Sequence, residues 1–133
     1  MKTPLLLLIP LVAVSCMSLL YRWNAHECPL VPGDPRPDRG RIARVTSISV
    51  QGSTLTAEGE TMTAGFQQAR LRQLPGAGLT DTRTYEFVAN PPPPGAMTLQ
   101  VISPHKASIR LDDPGIRHVR VLGARNAMCA DRQ

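Results

Sequence analysis

An apolar run opens the chain, and short alternating runs fill most of the remainder. Pro4 to Val14 is apolar throughout and comes after a short segment carrying Lys2. A positive start and an apolar stretch of this length have the form of an export signal. From Arg41 onward the period changes to two, with β-branched residues and turn signals between the runs. Ile42 to Val50 carries Val45, Ile48 and Val50, and Gln51-Gly52-Ser53 turns the chain. Thr54 to Thr61 alternates Leu55, Ala57 and Gly59 with Thr54, Thr56, Glu58 and Glu60, which predicts a hairpin with the run before it. Further strands are predicted at Gln67–Leu74, Thr84–Ala89, Met97–Ser103, Lys106–Leu111 and His118–Gly123. Pro75–Gly78, Asn90–Gly95 and Asp112–Gly115 are the breaks between them. About seven short strands at this spacing predict an all-β fold. The expected form is a small antiparallel sandwich of immunoglobulin-like size, with a small barrel as the alternative.

Between the leader and the alternating region lies a proline-rich stretch. Pro29, Pro32, Gly33, Asp34, Pro35, Pro37, Asp38 and Gly40 crowd together, and such density favours extended, polyproline-like chain. The organisation expected is an export signal over 1–16, a tether over 17–40, a β domain over 41–128 and a C-terminal tail over 129–133.

Val12-Ala13-Val14-Ser15-Cys16 fits a lipobox, in which a small residue precedes a cysteine whose thiol takes diacylglycerol. Two other readings stay open. The apolar run extends through Leu19, Leu20 and Tyr21 to about the length of a membrane span, with Trp23 as an interface anchor, although Pro4 and Pro10 oppose a regular helix. Ordinary cleavage after Ala25 is the third. The cysteine count favours the lipobox. If Cys16 carries lipid, Cys28 and Cys129 remain as an even pair flanking the β pattern, and in an oxidising compartment they are expected to form a disulfide.

Composition adds less. The chain has 133 residues and a formal charge of +5, and Lys2 and Lys106 are its only lysines among fifteen basic residues. The arginines are scattered, without a dense basic block or interleaved aromatics. They therefore read as solvated strand faces, with a lipid or polysaccharide contact second and no nucleic-acid partner. Aromatics make up 4% of the chain, so the core must rest on Val, Ile, Leu and Ala.

No catalytic set stands out. Ser103, His105 and Asp112 or Asp113 can be drawn as a triad, but no nucleophile elbow accompanies them, and His105 reads as a turn histidine. Glu58 and Glu60 share a strand face without the aromatics a sugar cleft needs. Asp112 and Asp113 are turn formers before they are calcium ligands, and the two distant cysteines make no zinc motif. No cofactor or metal is implied. Pro91, Pro92, Pro93 and Pro94 form a stiff loop that is a candidate interaction site.

Thr63-Ala64-Gly65-Phe66, Thr84-Tyr85-Glu86-Phe87-Val88-Ala89-Asn90-Pro91-Pro92 and Gln100-Val101-Ile102-Ser103-Pro104 resemble, in this order, segments of a group of small, uncharacterised bacterial exported proteins and lipoproteins. Phe66 stands where that group has Trp, and the proline run is longer. The resemblance implies a β-sandwich-like domain and an envelope location, and it carries over no functional residues.

The expectation is a non-enzymatic protein of the bacterial envelope, held to a membrane by lipid or an anchor and facing the periplasm or exterior. Its β domain would bind or scaffold a protein partner. A secreted soluble form is the alternative location. The alternative function is an inhibitor or ligand-binding module acting through Asn90–Gly95 and Leu74–Gly78, and a small hydrolase using His105 comes last.

Overall fold

Alternation of buried and exposed positions, rather than local propensity, sets the strands of this protein. A computed structural model describes residues 22–75 and 81–133. Eight strands run in chain order: β1 Trp23–Cys28, β2 Arg44–Gln51, β3 Thr54–Thr61, β4 Gln67–Gln73, β5 Thr82–Asn90, β6 Ser103–Arg110, β7 His118–Leu122 and β8 Ala127–Arg132. They form a five-stranded sheet ordered β1-β8-β7-β5-β4 and a three-stranded sheet ordered β2-β3-β6. The all-β sandwich expected from the alternation is the fold. All pairings between these strands are antiparallel except β5 with β7, which is parallel.

The inner faces meet in one core. Leu55 and Ala57 of β3 and Val45 and Ile48 of β2 pack against Tyr85 and Phe87 of β5 and Val119 and Val121 of β7. Gly59 belongs to this face because space requires it: a Cβ there would lie 2.6 Å from the Arg44 carbonyl oxygen and 3.1 Å from the Phe87 ring.

The predicted disulfide is formed. Cys28 in β1 and Cys129 in β8 are joined across the antiparallel pair, with a Cα–Cα distance of 5.8 Å. Closing a loop of this sequence separation, 101 residues, stabilises the fold by about 4–5 kcal/mol in the chain-entropy description.

Three expectations need correction. The 129–133 tail is largely strand, because Cys129–Arg132 completes β8. The 17–40 tether is no free linker over its described part. Trp23–Cys28 is an edge strand that its mostly exposed side chains concealed, and residues 29–39 lie as a strap on the outer face of the five-stranded sheet. Residues 17–21 lie outside the described residues, as do Cys16, the rest of the leader, and 76–80. Met97–Ile102 is not a strand despite its alternation. Beyond Thr61 the chain leaves the β3 ladder through Gly65, whose φ is +101°, so the segment has no ladder to join.

The fold has two poles. β1 begins beside the end of β8, where the Gln133 N–H donates to the Arg22 carbonyl. β5 and β7 also start at this pole, as their registers with one another and with β8 require. β5 therefore ends at the opposite pole, and Asn90, the proline loop and Met97–Ile102 cluster there. A strand of this length separates the poles by about 25–30 Å.

Candidate functional site: the far pole and the strap groove

Proline explains how the strap is held. Its backbone cannot join a ladder as donor at each proline, but the carbonyls remain free to accept. Arg120 of β7 donates through Nη2 to the Pro29 carbonyl, 3.3 Å, and grips Asp34 with both terminal nitrogens, each at 3.0 Å from one carboxylate oxygen. This bidentate pairing holds the Asp34 carboxyl below the usual carboxylate range, against the opposing effect of burial. Where β7 stops, Gly40–Ile42 takes its place beside β5. Ala89 N–H donates to the Gly40 carbonyl and Ile42 N–H to the Phe87 carbonyl. A Cβ at Gly40 would stand 2.7 Å from the Ala89 oxygen, so only glycine fits this approach.

Beneath the strap lies a buried ionic cluster. The Arg41 side chain is 1% exposed and that of Glu86 8%. Arg41 donates through Nε and Nη2 to Glu86 Oε2, at 3.2 and 2.9 Å, and through Nη1 to the Gly123 carbonyl. Arg72 of β4 reaches the same Oε2 from the solvent side at 3.1 Å. Two guanidiniums thus share one carboxylate oxygen. Arg41 and Arg120 are therefore structural members of the fold rather than parts of a solvated face.

Between the strap and β4 runs a groove of about 430 Å³. Asp38, Arg39 and Gly40 form one wall, and Arg70, Arg72 and Asn90 the other. Arg39 donates to the Pro92 carbonyl, tying the strap to the proline loop. Pro93 and Pro94 are exposed, and Pro91 and Pro92 are half-buried.

Beside this loop is the bare segment. Met97 is fully exposed, Leu99 is 73% exposed, Ile102 61% and Val101 52%. Among the described residues, the backbone bond of this segment is one donated by Ala64 N–H to the Leu99 carbonyl. Gly65 connects segment and loop: a Cβ there would lie 3.2 Å from Pro92 and 3.6 Å from Thr98.

The residues singled out for chemistry do not assemble. His105 is not in a turn but half-buried on β6, where Nε2 lies 3.0 Å from Thr61 Oγ1 and Phe66 stands edge-on to the ring at 6.3 Å. Burial holds its pKa below the ordinary histidine value. Ser103 is at the far-pole end of β6, whereas Asp112 lies beyond the other end and binds Arg83. Glu58 and Glu60 line a shallow second concavity of about 460 Å³ with Lys106 and Ile102, and Glu58 is engaged by Ser47 and Lys106. Among the described residues, no group of three or more His, Cys, Asp or Glu side chains is placed to hold a metal. Leu74 leaves β4 at the pole opposite Asn90–Gly95, and 76–78 of the second candidate loop, Leu74–Gly78, lie outside the described residues.

The strap groove was not foreseen. Its one local signal is the outward alternation of Arg70 and Arg72 around Leu71. Nothing local marks Arg39 as their neighbour across the fold. In comparisons with protein-family models, curated proteins and solved structures, the chain matches none of them.

Proposed function

We propose that this protein is an exported, membrane-held component of the bacterial envelope whose non-catalytic β domain binds or scaffolds a protein partner through its far pole. The observation that carries this reading is the bare apolar segment Met97–Ile102 beside a stiff proline loop. Contiguous exposed apolar surface on a small domain is characteristic of an interaction site. Proline lowers the ordering cost of the loop on binding.

The leader supplies the membrane side. With acylation at Cys16, six residues, 17–22, would separate the lipid from β1. Six residues reach about 20 Å at most. The near pole would then sit against the membrane and the far pole would point away from it.

Photocrosslinking in the native envelope tests the reading. A photoreactive residue at Leu99 is expected to give a discrete adduct that disappears when Ile102 is changed to Asp, while one at His118 gives none. Equal, diffuse labelling from both positions would overturn it. Mass analysis of the mature N-terminus tests the anchor separately: a diacylglyceryl mass on Cys16 is expected, and a free terminus after Ala25 would refute membrane attachment by lipid.

A further inference from the structure

The far-pole reading leaves open what sort of partner is recognised, and the strap groove bears on this. Three arginines line it, Arg39, Arg70 and Arg72, against one carboxylate, Asp38, while Glu86 lies buried beneath with Arg41 and Arg72 on it. Asp38 already accepts from the Gly40 N–H through Oδ1, and Glu86 Oε2 is shared by two arginines. Among the described residues, Arg39 and Arg70 spend donors only on backbone carbonyls of Pro92 and Gln68 and on the Asn90 amide. Each guanidinium carries five N–H donors, so most of those on Arg39 and Arg70 face solvent without a carboxylate. Cationic forks in excess, fixed on a strand and a pinned strap, match planar oxyanions.

The groove is also continuous with the apolar segment. Arg39 touches Pro92, Pro92 abuts Gly65, and Gly65 abuts Thr98. From Gly95 to Ser103 there is no charged residue. A ligand spanning both would be anionic at one end and apolar at the other. An extended peptide meets that description. A polysaccharide is disfavoured because the groove walls hold no aromatic ring for a sugar.

We propose that the strap groove binds a carboxylate-bearing segment of the protein partner, with Arg39 and Arg70 as the recognising residues and Arg72 held between groove and Glu86. The adjoining apolar part of that segment lies along Met97–Ile102. This deepens the proposed function and rests on it. A lipid headgroup is the less favoured anion, since the groove lies by the end of β5, at the pole remote from residue 22.

The test uses the full chain in mild detergent and a fluorescein-labelled peptide with aspartates at one end and alternating valine and threonine at the other. Its mate carries asparagine for each aspartate, and phosphatidylglycerol vesicles are the third probe. Arg39→Glu and Arg70→Glu are exposed changes, and thermal melting checks that each variant is folded. The acidic peptide is expected to bind, more weakly as salt rises. Asparagine replacement or either reversal is expected to weaken binding about tenfold or more. Equal binding of both peptides, lost only on Leu99→Asp, would overturn the carboxylate site and leave the far-pole reading standing. Binding of neither peptide, or unchanged binding to both arginine variants, would overturn the site. Vesicle binding abolished by the reversals, with no peptide binding, would make it a headgroup site and overturn the protein partner.

Discussion

Two segments of this protein cross its surface outside the named strands, and they are held in opposite ways. The strap, 29–39, is proline-rich and polar, yet it is fastened by Arg120 to Asp34 and Pro29 and by Arg41 to Pro35. Beside it Val88 and Leu122, on the outer side of their strands, are buried outside the central core. The second segment, 97–102, is uncharged and rich in β-branched and long apolar residues, yet its side chains stand in solvent. The difference lies in what each backbone can find. The strap has carbonyls and a carboxylate within reach of buried or half-buried guanidiniums. Met97–Ile102 runs past the end of β3, where the ladder has already turned away at Gly65. Order comes from available partners more than from the propensity of the residues.

That contrast can be broken at several points. Replacing Cys28 and Cys129 by Ser frees the strand that leads into the strap, and is expected to cost about 4–5 kcal/mol in urea unfolding. Arg41→Ala leaves Glu86 buried with only Arg72 beside it. About 3–5 kcal/mol should be lost, with increased proteolysis within 29–40. Asp34→Asn removes one charge from the Arg120 fork and should cost about 1–2 kcal/mol in the same assay.

Acid acts on the same fork. The folded Asp34 pKa lies below the unfolded value of 3.8. Its contribution is therefore complete above 3.8 and is lost as pH falls through the lower folded value, which hydrogen exchange at the Val31 amide will report. His105 adds a second dependence on pH. Its folded pKa is lowered by burial from 6.5, so the neutral form is the one the fold favours. Stability at the start of β6 is full above 6.5 and declines as pH falls through the lower folded value. Amide exchange over Ser103–Lys106 should quicken there, and His105→Gln should abolish that dependence. At the bare segment, Leu99→Ser should change stability by less than about 0.5 kcal/mol, since its side chain is already in water. A larger loss in urea unfolding would mean that the segment is packed against the fold after all.

Most of the sheet was legible from side-chain alternation. Leu55, Ala57 and Gly59, or Val119 and Val121, repeat at two because one face is buried, and the structure keeps that phase. β1 was hidden for the converse reason. Asn24 to Glu27 is exposed, so an edge strand held by backbone bonds and a disulfide left no alternation to read. The strap was misread because proline density reports what a segment cannot donate and is silent about what it can accept. The groove was invisible because Arg39, Arg70 and Arg72 meet only through long-range pairing, whereas the Cys28–Cys129 bridge was legible from counting alone.

That bridge has a mechanical side. Tension applied at Arg22 enters the fold through β1, and pulling on an edge strand from its end peels hydrogen bonds one pair at a time. β1 is six residues long, and its last residue, Cys28, is covalently tied to β8. Peeling would run from Trp23 toward Cys28 and stop there, passing the load to β8, which is flanked by strands on both sides. The strap and the far pole would keep their shape while the first strand frays.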